Sequence, residues 1–185
     1  LQERYAPRHF VVPTQLIDRT RHRPDTYFGE GIVGHVGFAD PFANGLGQIL
    51  FDAMDGMDGV TRHHGGTLVC MEGPLFSTRG ESELYRSWGA DLINMSALPE
   101  SKLAREAGIE YGLVCMVTDY DCWHTDHDDV DIQMVIANLT ANAANAQKLL
   151  ARALPAVLAA PRDESIANAC QFAVITAPEL RPAET

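Results

Sequence analysis

An α/β sandwich is the fold this chain predicts, and three observations point to it. Short runs of aliphatic and β-branched residues alternate along the 185 residues with segments of helical pattern. The links between them are short and rich in glycine and proline. The last strongly apolar run, Tyr111–Thr118, closes on two aspartates, Asp119 and Asp121, spaced as strand residues that share a face.

Taken in order, His-Phe-Val-Val-Pro at His9–Pro13 reads as the first strand, and Gln15–Glu30 as a polar, Arg-rich loop. Gly29–Gly37 is glycine-rich. A helix is expected from Pro41 to about Met57, with Pro41 in its first turn and Asp40 as cap. His63-His64-Gly65-Gly66 reads as a plain turn before a second strand, Thr67–Met71. Thr78-x-x-Glu81 has the form of a capping box for a helix over Ser82–Trp88 that stops at Gly89. Asp91–Met95 is a third strand. Pro99–Ala107 is a helix opened by proline and stopped by Gly108. After the double-aspartate strand, an alanine-rich helix is expected from about Val130 to Leu154, ending at Pro155. Gln171–Thr176 reads as a last short strand. One domain over 1–178 follows, with 179–185 as a frayed tail.

Composition narrows the function classes. A net charge of -11 repels nucleic-acid backbones and anionic lipid, so neither is expected as a partner. No apolar run has the length of a membrane span, and no signal peptide is visible, so a cytoplasmic protein is expected. Four cysteines without C-x-x-C spacing suit reduced thiols.

Two carboxylates held together at a strand end cannot easily both ionise, so one pKa should rise and that acid can carry a proton near neutral pH. Solvated acids opening a loop are the plain alternative. The run from Asp119 to Asp131 holds six aspartates and two histidines. It could serve a metal-assisted hydrolase, yet it matches neither H-E-x-x-H nor a calcium loop, and Asp126–Asp131 would equally cap the following helix. Arg19, Arg21, His22 and Arg23 form a basic patch that could bind an anion or pair with surface acids. Met95-Ser96, at a strand end before a helix, offers an N–H and a hydroxyl to sugar or phosphate oxygens.

Three blocks carry a specific resemblance. They are Gly66-Thr-Leu-Val-Cys-Met-Glu-Gly-Pro-Leu-Phe-Ser-Thr-Arg-Gly-Glu-Ser82, then Trp88-Gly-Ala-Asp-Leu-Ile-Asn-Met-Ser through Gly108, then Val117-Thr-Asp-Tyr-Asp-Cys-Trp123. Together they resemble the S-methyl-5′-thioadenosine phosphorylases of the trimeric purine nucleoside phosphorylase family. The likeness runs from Gln15-Leu-Ile-Asp-Arg-Thr20 to about Phe172.

The resemblance implies a twisted mixed β-sheet flanked by helices. It also implies a homotrimer that phosphorolyses S-methyl-5′-thioadenosine to adenine and 5-methylthioribose 1-phosphate, in purine and methionine salvage. Inorganic phosphate would be the co-substrate, with no cofactor and no metal. Phe76 would pack on the purine, and Ser77 would bear on substrate choice. The Met95 amide would meet the ribose and Ser96 the phosphate. Asp119 and Asp121 would read adenine, and Ile132 and Val135 would wall the 5′ end. His35, on a looser alignment, would reach into a neighbouring subunit's site.

The family's glycine-rich phosphate loop, an Arg-His pair and a phosphate-binding threonine belong to an N-terminal part not seen before Leu1. The chain is therefore expected to be a C-terminal portion that is inactive alone, its N-terminal segment lying upstream in the gene or supplied as a separate piece. A truncated relative that binds adenine without turnover is the remaining alternative.

Overall fold

The computed structural model describes residues 1–124 and 132–181. The acidic stretch over 126–131, the expected helix start at Val130 and the end of the tail lie outside the described residues.

The strands are β1 (Phe10–Val12), β2 (Gln15–Arg19), β3 (Arg62–His64), β4 (Thr67–Met71), β5 (Leu92–Asn94) and β6 (Cys115–Met116). The helices are α1 (Asn44–Ala53), α2 (Arg79–Ser87), α3 (Ala97–Glu106), α4 (Ile132–Ala159) and α5 (Glu164–Ala167). One sheet has the order β3-β1-β6, with β1 parallel to β3 and antiparallel to β6. The other is all parallel, in the order β2-β4-β5. The Gly66 carbonyl accepts the N–H groups of both Thr14 and Gln15, which joins the two sheets where β1 passes into β2 and β3 into β4. The result is a mixed sheet with helices against it, as the resemblance implies.

Three apolar clusters fill the interior. Val11, Leu68, Cys70 and Leu98 pack together between β1, β4 and the start of α3. Phe10, Val12, Met54 and Leu149 hold α1 and α4 against β1. Leu1, Val69, Tyr85 and Ala90 hold α2. All four cysteines are free thiols. Among the described residues no helix is long and apolar enough to cross a membrane.

Several expectations need correction. Gln15–Arg19 is a strand, because Leu16 and Ile17 pack inward while the polar ends face solvent. Arg62–His64 is also a strand, and the turn is confined to Gly65 and Gly66 at φ +94° and +105°. Helix α1 starts at Asn44 rather than Pro41, and no side chain caps it. The Tyr111–Thr118 run forms regular strand only at Cys115–Met116, opposite Phe10 and Val11, and Val117 continues the backbone bonding to His9 and Arg8. Helix α4 continues through Pro155 to Ala159, with Val157 packed on the core beyond the proline. The expected last strand contributes a single bridge, Val174 to Gly34, and Pro178–Leu180 forms a 3-10 turn.

Helix α2 follows its sequence signal closely. Glu81 N–H donates to Thr78 Oγ1 at 3.2 Å, and Thr78 N–H donates to Glu81 Oε2 at 2.8 Å. This reciprocal box fixes the helix start directly after the Phe76-Ser77 loop.

Candidate active site

The carboxyl ends of β4 and β5 and the chain after β6 surround a cleft of about 550 Å³. Parallel strands in open α/β sheets present ligands at this end. Phe76 and Ser77 come from the loop after β4, Met95 and Ser96 from the end of β5, and Asp119 and Asp121 from the chain beyond β6. Val135 comes from α4. Seven of the nine residues singled out from sequence are thus brought together.

Two are not. Ile132 is exposed at the first turn of α4 and does not line the cleft; Leu139, one turn beyond Val135, completes the apolar wall instead. His35 is exposed and away from the cleft, its N–H bonded to the Ala173 carbonyl at 2.8 Å.

Asp119 is fixed at both oxygens. Its Oδ1 accepts the Asp121 N–H at 2.8 Å, and its Oδ2 accepts the Thr118 hydroxyl at 2.6 Å. Asp121 opens a 3-10 turn, Asp121–Trp123, with its own φ at +60°. A left-handed non-glycine residue costs about 1–2 kcal/mol, which aspartate tolerates better than most. Helix α2 holds this turn: Arg79 donates to the Cys122 carbonyl, and the Arg86 guanidinium lies 3.6 Å from the Trp123 ring centroid. The Cys122 thiol donates to the Ser77 carbonyl at 3.4 Å, which ties the turn to the Phe76-Ser77 loop.

Burial pushes the Asp121 carboxyl above the ordinary aspartate range, and the Asp119 charge adds to the rise; the nearby Ser82 hydroxyl works against it. Asp121 Oδ2 is buried without a hydrogen-bond partner among the described residues. The pair therefore holds a proton most readily at Asp121.

At the other end, the Ser77 hydroxyl contacts Met71 Sδ at 3.4 Å. Gly73, at φ +71°, lets the chain turn beneath Met95, whose Sδ would stand 2.8 Å from any Cβ there. Asn94 Oδ1 accepts the Ala97 N–H at 3.5 Å, so Asn94 shapes the turn on which Met95 and Ser96 sit. Phe76 is 52% exposed at the mouth of the cleft, open to a flat ligand.

Asn94, Tyr5 and Leu139 line the cleft without having been singled out from sequence. Asn94, a polar residue ending a buried strand, carried a usable signal, and so did Leu139, four residues from Val135. Tyr5 belongs to no motif.

The phosphorylase superfamily profile matches residues 1–155. The chain belongs to that superfamily. Within it, S-methyl-5′-thioadenosine phosphorylases match the whole chain. The one from Synechocystis is 52% identical over 187 aligned residues, covering 100% of this chain and 57% of that protein. The one from Tuber melanosporum is also 52% identical, covering 100% of this chain and 63% of that protein. A methylthioadenosine phosphorylase from an antarctic soil metagenomic library superimposes with a TM-score of 0.91 at 41% identity, over 99% of this chain and 64% of that one. The Schistosoma mansoni methylthioadenosine phosphorylase in complex with adenine gives 0.88 at 30% identity, over 95% and 69%. The chain thus spans about three-fifths of the length of the curated relatives it matches. The phosphorylase fold, with its mixed sheet and flanking helices, is the one these residues adopt.

Proposed function

We propose that these residues form the nucleoside-binding part of a site that converts S-methyl-5′-thioadenosine and inorganic phosphate to adenine and 5-methylthioribose 1-phosphate. The observation that carries this reading is the cleft itself. It sets a carboxylate pair with one favoured proton at one end, a strand-end N–H and hydroxyl at Met95-Ser96, and an apolar wall at Val135 and Leu139.

Phosphorolysis needs an anion against C1′, a glycosidic bond that loosens toward an oxocarbenium-like state, and a base that leaves protonated. The Asp119–Asp121 pair supports the last step. Adenine presents N7 as acceptor and N6 as donor on one edge, and a pair sharing one proton can donate to N7 while accepting from N6. A 6-oxopurine would set its oxygen against the ionised carboxylate and be rejected. Phe76 packs on the purine face. Val135 and Leu139 suit a methylthio group and would leave a 5′-hydroxyl unpaired, at a cost of about 1–3 kcal/mol.

Ser96 is the phosphate contact in this reading, and phosphate is a co-substrate rather than a cofactor. No metal has a role in it. The active assembly is a homotrimer in which the exposed His35 reaches a neighbouring copy's cleft.

Adenine release by the full-length protein, measured with and without phosphate and each in the presence and absence of EDTA, tests the proposal. Release that needs phosphate and survives EDTA is expected. Equal rates without phosphate would indicate hydrolysis, and loss in EDTA would indicate a metal.

A further inference from the structure

Within the basic patch of the Arg-rich segment, Arg23 pairs with the surface acid Glu72, as composition suggests, and does more besides. Arg23 is turned inward, and its side chain is 18% exposed. A guanidinium has five N–H donors in a planar fork. All five are engaged. Nε donates to the Glu72 carboxylate at 3.1 and 3.2 Å. Nη2 donates to the carbonyls of Met71 at 3.2 Å and Glu72 at 2.7 Å. Nη1 donates to the carbonyl of Met95 at 2.8 Å and to that of Leu98. One side chain thus joins the carboxyl end of β4 to the β5–α3 turn, the two segments that form one side of the cleft.

The segment bearing Arg23 is itself tied down. Arg21 N–H donates to Glu72 Oε2 at 2.6 Å. Lys102 bridges Asp18 at 2.7 Å and Asp25 at 2.5 Å. Glu106 accepts from the Thr26 hydroxyl at 2.7 Å and the Tyr27 N–H at 2.6 Å. The anchors flank Arg23 on both sides, so its fork is presented from a held backbone.

Peptide planarity carries the effect into the cleft. In a trans peptide the carbonyl of one residue and the N–H of the next point in opposite directions. Arg23 pulls on the carbonyls of Glu72 and Met95, so the N–H groups of Gly73 and Ser96 are aimed away from it. We propose that Arg23 is a positioning residue for the ribose and phosphate end of the cleft, aiming the Met95-Ser96 backbone through the carbonyls it clamps. The assignment rests on the phosphorolytic reading for what is bound there. The clamp itself does not. Lysine cannot replace it, because three donors on a tetrahedral ammonium cannot serve two strand ends in one plane.

The test compares wild type with R23A and R23K, the latter serving if R23A is unfolded. Amide order parameters by NMR read the clamp directly, without ligand. Gly73 and Ser96 are expected to fall from about 0.85, a rigid backbone, to below about 0.6 in either variant, with the Phe10–Val12 amides unchanged. Calorimetric titration then reads its use. Methylthioadenosine is expected to bind at least about tenfold more weakly while adenine stays within about twofold, because the carboxylates that read the base lie on the chain beyond β6, which Arg23 does not touch. Wild-type order at Gly73 and Ser96 in both variants would overturn the assignment. So would equal weakening of both ligands, which is what general loosening gives. A wild-type protein that binds neither ligand would refute the phosphorolytic reading, and the order parameters would still decide the clamp.

Discussion

The carboxylate of Asp119 accepts the backbone N–H of Asp121 at 2.8 Å, so one member of the pair holds the main chain of the other. This separates chemistry from geometry in a mutational test. Asp119→Asn keeps an oxygen that can accept the same bond and removes the negative charge that helps hold the proton on Asp121. It is expected to lower kcat for phosphate-dependent adenine release by about a hundredfold or more. Asp121→Asn is expected to lower kcat at least as far, since an amide can donate a hydrogen bond to N7 but cannot give it a proton. Wild-type rates in both variants would reduce the pair to a cap on the turn.

Asp121 also predicts a pH dependence of stability. Its folded pKa is raised, chiefly by burial, so the folded state binds more protons than the unfolded state at pH values between the two. Its contribution to stability therefore falls as pH rises from the ordinary aspartate value through the raised one. Asp121→Asn, which resembles the neutral acid, removes that penalty. Thermal unfolding of the variant is expected to occur above that of wild type at pH 8, with the gap closing toward pH 3.5. A gap that widens on acidification would show that the folded protein prefers the ionised form.

Local signals in the sequence matched the structure best. The Thr78/Glu81 box needs only four residues, and the structure contains it as written. The acidic pair, Phe76-Ser77 and Met95-Ser96 fell into one cleft because each sits at a strand end, which a short apolar run marks. Strands β2 and β3 were missed because most of their residues are polar and part-exposed, with only Leu16 and Ile17 apolar; their partners, β4 and β1, lie about 50 residues away, and a ladder leaves no trace in side-chain type. The pairing of Arg23 with an acid, Glu72, was legible, but the rest of its contacts were missed for a related reason. Four of its acceptors are backbone carbonyls, which every residue possesses, so no acidic partner pattern announces them. Helix α4 outran Pro155 because burial of Leu149, Ala153 and Val157 against α1 and β1 outweighs one lost hydrogen bond.

Gly108 stops α3 at φ +66°, and a Cβ there would lie 2.8 Å from the Ala167 carbonyl oxygen. Gly108→Ala meets backbone rather than a movable side chain, and it also adopts a left-handed conformation. A destabilisation of at least about 1–2 kcal/mol is expected from the conformation alone, measurable by urea denaturation. An unchanged midpoint would mean that the α3–α5 approach is looser than this packing.

The exposed His35 gives the proposed trimer a direct check. Mixing inactive His35→Ala subunits with inactive Asp119→Asn subunits is expected to restore part of the activity, because some hybrid clefts regain both groups. Failure to complement after subunit exchange has been verified would count against a shared site.

Asn138 and Asn142 lie buried on α4 and donate to the carbonyls of Thr118, at 2.6 Å, and Val117, at 3.3 Å. Asn138 falls between Val135 and Leu139, and Thr118 adjoins Asp119. The apolar wall proposed to meet one end of the nucleoside is therefore pinned to the acids proposed to meet the other. A sequence drifting toward a bulkier or more polar 5′ group would shift α4 and, through these amides, disturb base recognition as well. Substrate range at the two ends is not free to diverge one substitution at a time. Variants selected for a new 5′ substituent should carry compensating changes near Thr118, and the paired changes should be non-additive.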